Sequence, residues 1–335
     1  MSAEPFARDR VLIETEAYLR AIARATTHQP WMADLLEAVE QVTRLPTRGP
    51  APWLHHQALS ALHRFLTAAC GATAVGMPLS DMRALTVEAR LHCARYSRTL
   101  AHTQAWPRGY PGDFELIERL LDADPGGEPG TLERVLEGCV LQLPIVWQHR
   151  AKVAWQAQLV RRRLGRAGGE RVRVLSIACG GSRDLLLLEP HELGRLDVVL
   201  SDLDRDALAL SQARLAPRVG RLVSVPGNAL RSAIRLRAHG PFDVILIGGL
   251  LDYLPERAAR MLLNQAAVML APGGLLGATN IAAGDPWRLM LELLAGWTLI
   301  ERSEDQMTQL MSLPDITSSV VLDESRLTWL VTAAR

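Results

Sequence analysis

The sequence predicts an all-helical first half followed by an α/β half built on a parallel sheet, and three observations carry that expectation. Apolar residues recur at helical spacing from residue 8 to about 165. After the glycine-rich stretch 165–169 the pattern changes to short β-rich runs. Those runs alternate with helical ones, which implies parallel pairing in a sheet buried on both faces. The expected division falls near residue 168, giving domains at 1–168 and 169–335.

In the helical half the spacing shows at Val11, Tyr18, Leu19 and Ile22, then at Trp31, Leu35, Val39 and Val42. Proline and glycine mark its breaks, at 46–52, 71–78, 107–112 and 125–130. Pro144 should stop or kink the segment begun at Thr131, making 145–164 a separate helix. Arg161, Arg162 and Arg163 suit its C-terminus, where positive charge meets the helix dipole. The expected strands are 172–177, 196–200, 222–225, 242–247 and 275–279; past Gly296 come two more, 298–302 and 327–333, with a polar stretch between them. No internal repeat is visible.

With 335 residues, 48% hydrophobic, 22% charged and 5% aromatic, the chain can fill two ordinary domains, and disordered, collagen-like and low-complexity classes are excluded. Lys+Arg 37 against Asp+Glu 36 leaves +1, so no net field draws it to nucleic acid or an anionic membrane, and neither is expected as a partner. Every basic residue but Lys152 is arginine, which is read as coding bias and not as phosphate recognition. The longest apolar stretches, 242–251 and 266–278, are shorter than the about 18–20 residues of a membrane span. Cys70, Cys93, Cys139 and Cys179 lack CxxC spacing and the opening MSAEPFARDR lacks an apolar stretch, so a reduced, cytoplasmic protein is expected. The histidines and acids show no HExxH-like spacing, so no metal is expected. Nothing in the sequence sets the oligomeric state.

The chemistry concentrates at strand ends. Residues 172–184, VRVLSIACGGSRD, run from a buried strand into a glycine pair and an apolar helix at 185–188. Glycines there let a ligand approach the backbone beside a helix N-terminus; the alternative is a tight strand-to-helix turn. About twenty residues on, Asp202 ends a second strand, where a carboxylate can accept from both ribose hydroxyls. Asp204 and Asp206 stand where the next helix starts, and one or both read as caps. Asn228 follows the third strand, facing an adenine edge or completing a turn. The fourth strand ends in GGLLDY, residues 248–253, and the fifth follows LAPGG, residues 270–274.

In order and spacing these signals resemble the class I S-adenosylmethionine-dependent methyltransferases from about residue 170 to the end. The resemblance implies a Rossmann-like sheet with a helical lid and S-adenosyl-L-methionine as cofactor. It implies that Ser176, Ala178, Cys179, Gly180 and Gly181 lie along the methionine part, with Gly248 and Gly249 beside it. Asp202 with Leu203 would hold the ribose, and Asn228 and Ala229 would flank the adenine. An acid is usual at position 228, so Asn228 departs from the pattern. The phrases RGYPGDFEL at 108–116, GGLLDYL at 248–254, and ATN at 278–280 followed by GWTLIE at 296–301 look like a narrower group. That group includes the 3-hydroxy fatty acid methyl ester enzymes of bacterial signalling, whose members share a helical N-terminal half. It extends to azetidine-2-carboxylate synthases, which cyclise the cofactor itself.

In such a fold the helical half would cover the reactive sulfonium. Tyr110, beside a rigid turn, could be held over that cation or could pack in the seam; Asp113 could act there or cap the helix 114–121. Arg108 could bind a carboxylate of cofactor or substrate, or be solvated. Tyr253 and Asn280 are candidates to orient the nucleophile; Asp252 could contribute or cap the following helix. Trp287 and Trp297 read as core or seam. Three functions follow: methyl transfer to a small-molecule carboxylate or amine, cyclisation of S-adenosylmethionine alone to azetidine-2-carboxylate and methylthioadenosine, or non-catalytic cofactor binding. A carboxylate acceptor needs no base at neutral pH, whereas an amine must first lose a proton.

Overall fold

The computed structural model describes residues 29–335, so Val11, Tyr18, Leu19 and Ile22 lie outside the described residues. The chain divides into two units: the described residues up to Leu143 with Pro286–Thr298, and Pro144–Asp285 with Leu299–Arg335.

The first unit is helical: α1 (Gln29–Thr43), α2 (Ala51–Ala74), α3 (Leu79–Leu85), α4 (Val87–Tyr96), α5 (Arg98–Ala105), α6 (Phe114–Asp122) and α7 (Leu132–Leu141). The α1 spacing predicted from sequence buries Leu35, Val39 and Val42, while Trp31 is laid across Gly71 of α2, where a Cβ would stand 2.1 Å from the ring. Ser97, Asp113 and Thr131 cap α5, α6 and α7, each side chain accepting from a backbone N–H of the first turn. Glu137 is buried at the centre and accepts from Ser97 Oγ (2.6 Å), Thr99 N (3.1 Å) and Thr99 Oγ1 (2.7 Å), the dense partnering a buried carboxylate requires. Pro286–Thr298 joins this unit through Glu292, paired with Arg83 at 3.2 Å, and through Gln104 Nε2, which donates to Leu294 O (2.7 Å). Trp297 is buried here and Trp287 half-buried.

The second unit runs α8 (Pro144–Arg166), β1 (Val172–Ile177), α9 (Pro190–Leu193), β2 (Leu196–Asp202), α10 (Arg205–Leu215), β3 (Arg221–Pro226), α11 (Ala233–Arg237), β4 (Phe242–Ile247), α12 (Glu256–Met269), β5 (Leu270–Ile281), α13 (Glu304–Leu310), β6 (Thr317–Leu322) and β7 (Thr328–Ala334). The sheet order is β3-β2-β1-β4-β5-β7-β6, with β1 to β5 parallel and β7 antiparallel to both neighbours. Alternate residues of the central strands enter different cores. Val172, Val174, Val244 and Leu246 pack with Leu159, Val160 and Leu164 of α8. Leu175, Ile177, Ile245 and Ile247 pack with Leu262, Leu263 and Ala266 of α12. Two covered faces explain why these strands are apolar at most positions. The order reverses between β1 and β4, and the carboxyl ends there are where open α/β sheets bind ligands.

Three sequence expectations are corrected. The division falls at Leu143/Pro144, not near 168, because the apolar face of α8 is committed to the sheet; Pro286–Thr298 in turn belongs with the helices. Residues 298–302 form no strand: Arg302 makes only an isolated bridge to Ala282, and the extra strand is β6, whose mostly exposed side chains gave it the look of a polar loop. The expected helix at 185–188 is a 3₁₀ turn, Leu185–Leu187, with Leu187 exposed. No helix among the described residues is long and apolar enough to cross a membrane.

Candidate cofactor and active site

The loop leaving β1 is wound into left-handed backbone at Ala178 (φ 53°), Gly180 (φ 50°) and Ser182 (φ 53°), two of them positions where a side chain disfavours that conformation. It is held from α10. Ser211 Oγ donates to Gly180 O (2.6 Å) and accepts from Ser182 Oγ (3.0 Å), and Arg214 Nη1 donates to Gly181 O (3.1 Å). Ser176 is buried in β1, and the Cys179 thiol is pushed up by burial and by the Asp202 and Asp184 carboxylates, which keeps it protonated. Asp184 is itself buried, which raises its pKa to about 6.

Asp202 ties three strand ends together. Its Oδ2 accepts from Gly180 N (2.9 Å) in the β1 loop, its Oδ1 from Asp204 N (2.9 Å), and its backbone O from Gly227 N (2.8 Å) after β3. The two carboxylate oxygens keep lone-pair capacity beyond these N–H partners, which suits a ligand diol. Burial pushes its carboxyl up, and the Asp204 and Gly180 N–H groups oppose that. Leu203 beside it is exposed. Asp204 is the α10 cap, accepting from Asp206 N (2.9 Å) and Ala207 N (3.4 Å). Asn228 is exposed, and its Oδ1 accepts from Leu230 N (3.1 Å) and Arg231 N (3.3 Å), so that oxygen closes the turn; Ala229 is half-buried within it.

At the β4 end Gly248 lies so close to Gln156 of α8 that a Cβ would stand 2.6 Å from its Oε1. Gly249 (φ 81°) donates its N–H to Thr279 Oγ1 (2.9 Å) of β5. The 3₁₀ turn Leu250–Tyr253 follows, with Tyr253 half-buried. Asp252 is not a helix cap. Its Oδ1 accepts from Ile281 N (2.7 Å), its backbone O from Ile300 N (2.8 Å), and Oδ2 lies 3.8 Å from Lys152 Nζ. Burial raises its pKa, countered by Lys152, the Ile281 N–H and Arg302. Asn280 is fully buried; its Nδ2 donates to Ile281 O (2.8 Å) and Ile300 O (2.9 Å), and its Oδ1 accepts from Arg302. Arg302 also donates to Leu251 O (2.8 Å), so Asn280 helps brace the β4–α12 connection through Arg302.

In the helical unit Arg108 stands 3.6 Å from Glu115, its guanidinium 5.3 Å from the Phe114 ring centre, and Tyr110 is half-buried. Asp113 caps α6 and accepts from His102 Nε2 (2.8 Å). Among the described residues His102, Asp113 and Glu115 are the group whose ligand atoms, within 4.8 Å of one another, could hold a metal ion, and each already has the partner named here. The sequence reading passed over Gln156 and Thr279 and noted Lys152 only for its composition. Its signal was there: Gln148, Lys152 and Gln156 recur at four-residue spacing on α8, a polar stripe on a helix that covers a sheet.

Comparison with known proteins agrees with this architecture. Residues 175–276 match the family model described as a methyltransferase domain. An Escherichia coli K12 protein, uncharacterized YnbC, is 30% identical over 159 residues, a match spanning 43% of this chain and 26% of that protein. The chain therefore spans about a quarter of the curated relative it matches. A crystal structure of a possible exported protein from Bordetella parapertussis aligns over 92% of this chain and 98% of that chain, at 20% identity and a TM-score of 0.54. The magnesium protoporphyrin IX methyltransferase of Synechocystis PCC 6803, solved with bound SAH, aligns over 65% of this chain and 94% of that one, at 12% identity and a TM-score of 0.45. Residues 175–276, which lie within the second unit, thus match a methyltransferase-domain model, and that unit's strand order β3-β2-β1-β4-β5-β7-β6 is a Rossmann-like sheet.

Proposed function

We propose that the protein is an S-adenosylmethionine-dependent methyltransferase acting on a small molecule through a carboxylate or amine nucleophile. The observation that carries this is Asp202, whose two oxygens are fixed by Gly180 N and Asp204 N at the ends of β1 and β2 while retaining capacity for a ribose diol. The residues present fit the cofactor. The β1 loop turns through left-handed backbone at Ala178, Gly180 and Ser182, its glycine pair puts no side chain between a ligand and the backbone, and Ala229 is small enough to lie against a base.

When bound, the cofactor supplies a methyl group on a sulfonium, transferred by in-line displacement. The protein's own part is alignment and exclusion of water. Asp202 binds the ribose, the Gly180–Gly181 loop and the Gly248–Gly249 pair border the methionine, and Ala229 borders the adenine, with Asn228 closing the turn beside it. Tyr253 orients the nucleophile. A carboxylate acceptor arrives ionised, whereas an amine must react in its neutral form, its ammonium disfavoured by desolvation in an apolar pocket. Asn280, engaged on both ends of its amide, has a bracing role in this reading. The phrases at 108–116, 248–254 and 278–280 support a place beside the enzymes that methylate 3-hydroxy fatty acids, in signalling or secondary metabolism.

The test is incubation of purified protein with S-adenosylmethionine, alone and with 3-hydroxy fatty acids or small amines, followed by mass spectrometry. S-adenosylhomocysteine formed only with an acceptor supports methyl transfer. Methylthioadenosine with azetidine-2-carboxylate, formed without an acceptor, replaces it by cyclisation.

A further inference from the structure

Lys152 is the single lysine of the chain. It is 5% exposed, on the face of α8 that covers the sheet, and its neighbours one turn away on either side fix its place. Gln148 Oε1 accepts from Thr328 Oγ1 (2.7 Å) at the start of β7, and Gln156 abuts Gly248 at the end of β4. Lys152 is thereby held at the carboxyl edge of the sheet, beside the loop that follows β4. Among the described residues its Nζ makes no hydrogen bond; its ion-pair partner, Asp252 Oδ2 at 3.8 Å, is beyond hydrogen-bonding range. A nearly buried ammonium with three donors and no acceptor is costly unless an anion meets it. On the loop side this pair meets a glycine and no side chain: a Cβ on Gly249 would stand 3.9 Å from Nζ and 3.6 Å from Asp252 Oδ2.

Sheet order identifies the anion. From β3 the strands run β2, β1, β4. A ligand with its ribose at Asp202 on β2 and its methionine along the β1 loop brings its amino-acid end to β4. That is two strand spacings from Asp202, about 9.6 Å, within the reach of an extended methionine chain. Burial lowers the pKa of Lys152, but the Asp252 and Asp323 carboxylates favour the ammonium. We infer that Lys152 is the receptor for the α-carboxylate of the bound cofactor, with Asp252 beside it for the α-ammonium. This rests on the cofactor reading above and adds the residues that recognise the amino-acid end.

Calorimetry with S-adenosylhomocysteine, which carries the amino-acid group, and methylthioadenosine, which lacks it, tests the inference without any acceptor. Lys152→Met is expected to weaken S-adenosylhomocysteine about tenfold or more and methylthioadenosine less than about twofold, and Lys152→Arg to restore most of the loss. Equal weakening of both ligands, or of neither, overturns it while leaving the cofactor reading in place. If the wild-type protein binds neither ligand, the cofactor reading falls and this inference with it. Should Lys152→Met unfold because Asp252 is left a lone buried charge, Lys152→Met/Asp252→Asn removes both charges and must show the same selective loss.

Discussion

The two ends of the candidate cofactor site are built differently. At the β1–β2–β3 end the loops are held by groups close together in sequence, within the span 178–228: Asp202 accepts backbone N–H groups through its carboxylate and its carbonyl, and Ser211 and Arg214 bind the carbonyls of Gly180 and Gly181. At the β4–β5 end the structure is made by side chains far apart in sequence: Lys152, Gln156, Asp252, Asn280 and Arg302. The first end is a motif and the second is a meeting of distant segments. The first should therefore fail in ligand binding when one acid is changed, and the second should lose binding selectivity and stability residue by residue.

The largest expected effect is Asp202→Ala. It removes the ribose acceptor and strands the Gly180 and Asp204 N–H groups, so S-adenosylhomocysteine affinity should fall by about a hundredfold or more, with about 1–3 kcal/mol lost in denaturant unfolding. Full retention of affinity would break the assignment of this end. At the other end Gly277→Ala would place a Cβ 2.3 Å from Leu159 Cδ1, pushing α8 off β5 and costing about 1–3 kcal/mol by the same measurement. Because α8 carries Lys152, this change should weaken S-adenosylhomocysteine more than methylthioadenosine.

Asp184 tests the motif end by pH. Its folded pKa, about 6, lies above the ordinary carboxylate value of 3.8, so the folded state favours the protonated form. The associated stability is fully present below the ordinary value and is lost as pH rises through about 6. Asp184→Asn should therefore stabilise the protein by about 1–3 kcal/mol at pH 8, with the gain vanishing near pH 4, read from urea titrations at both. The smallest expected effect is Asn228→Ala, which removes one acceptor from an exposed turn. About 0.5–1 kcal/mol of stability and less than a threefold change in S-adenosylhomocysteine affinity are expected; a larger loss of affinity would return Asn228 to the adenine contact.

The same contrast explains what the sequence made legible. β1 and β4 fall on the predicted runs because strands covered on both faces have an apolar residue at nearly every position. Asp202 stood out because strand, loop and acid lie close together in the chain, and Asp113 as a cap because capping is local. The placement of α8 was not legible: helical spacing shows that a face is buried, not which unit buries it. β6 was hidden by its exposure, since an edge strand with mostly solvated side chains carries little of the apolar pattern that marks a strand. Lys152 and Asp252 are a hundred positions apart, and only folding brings them together.

The chain crosses between its units at 143–144, 285–286 and 298–299. The amino-terminal helices are thus finished by thirteen residues synthesised after all five parallel strands. During translation that bundle must wait, unfinished, for Glu292 to reach Arg83 and for the Leu294 carbonyl to reach Gln104. Severing the coding sequence after 285 would leave the early helices missing one of their own pieces.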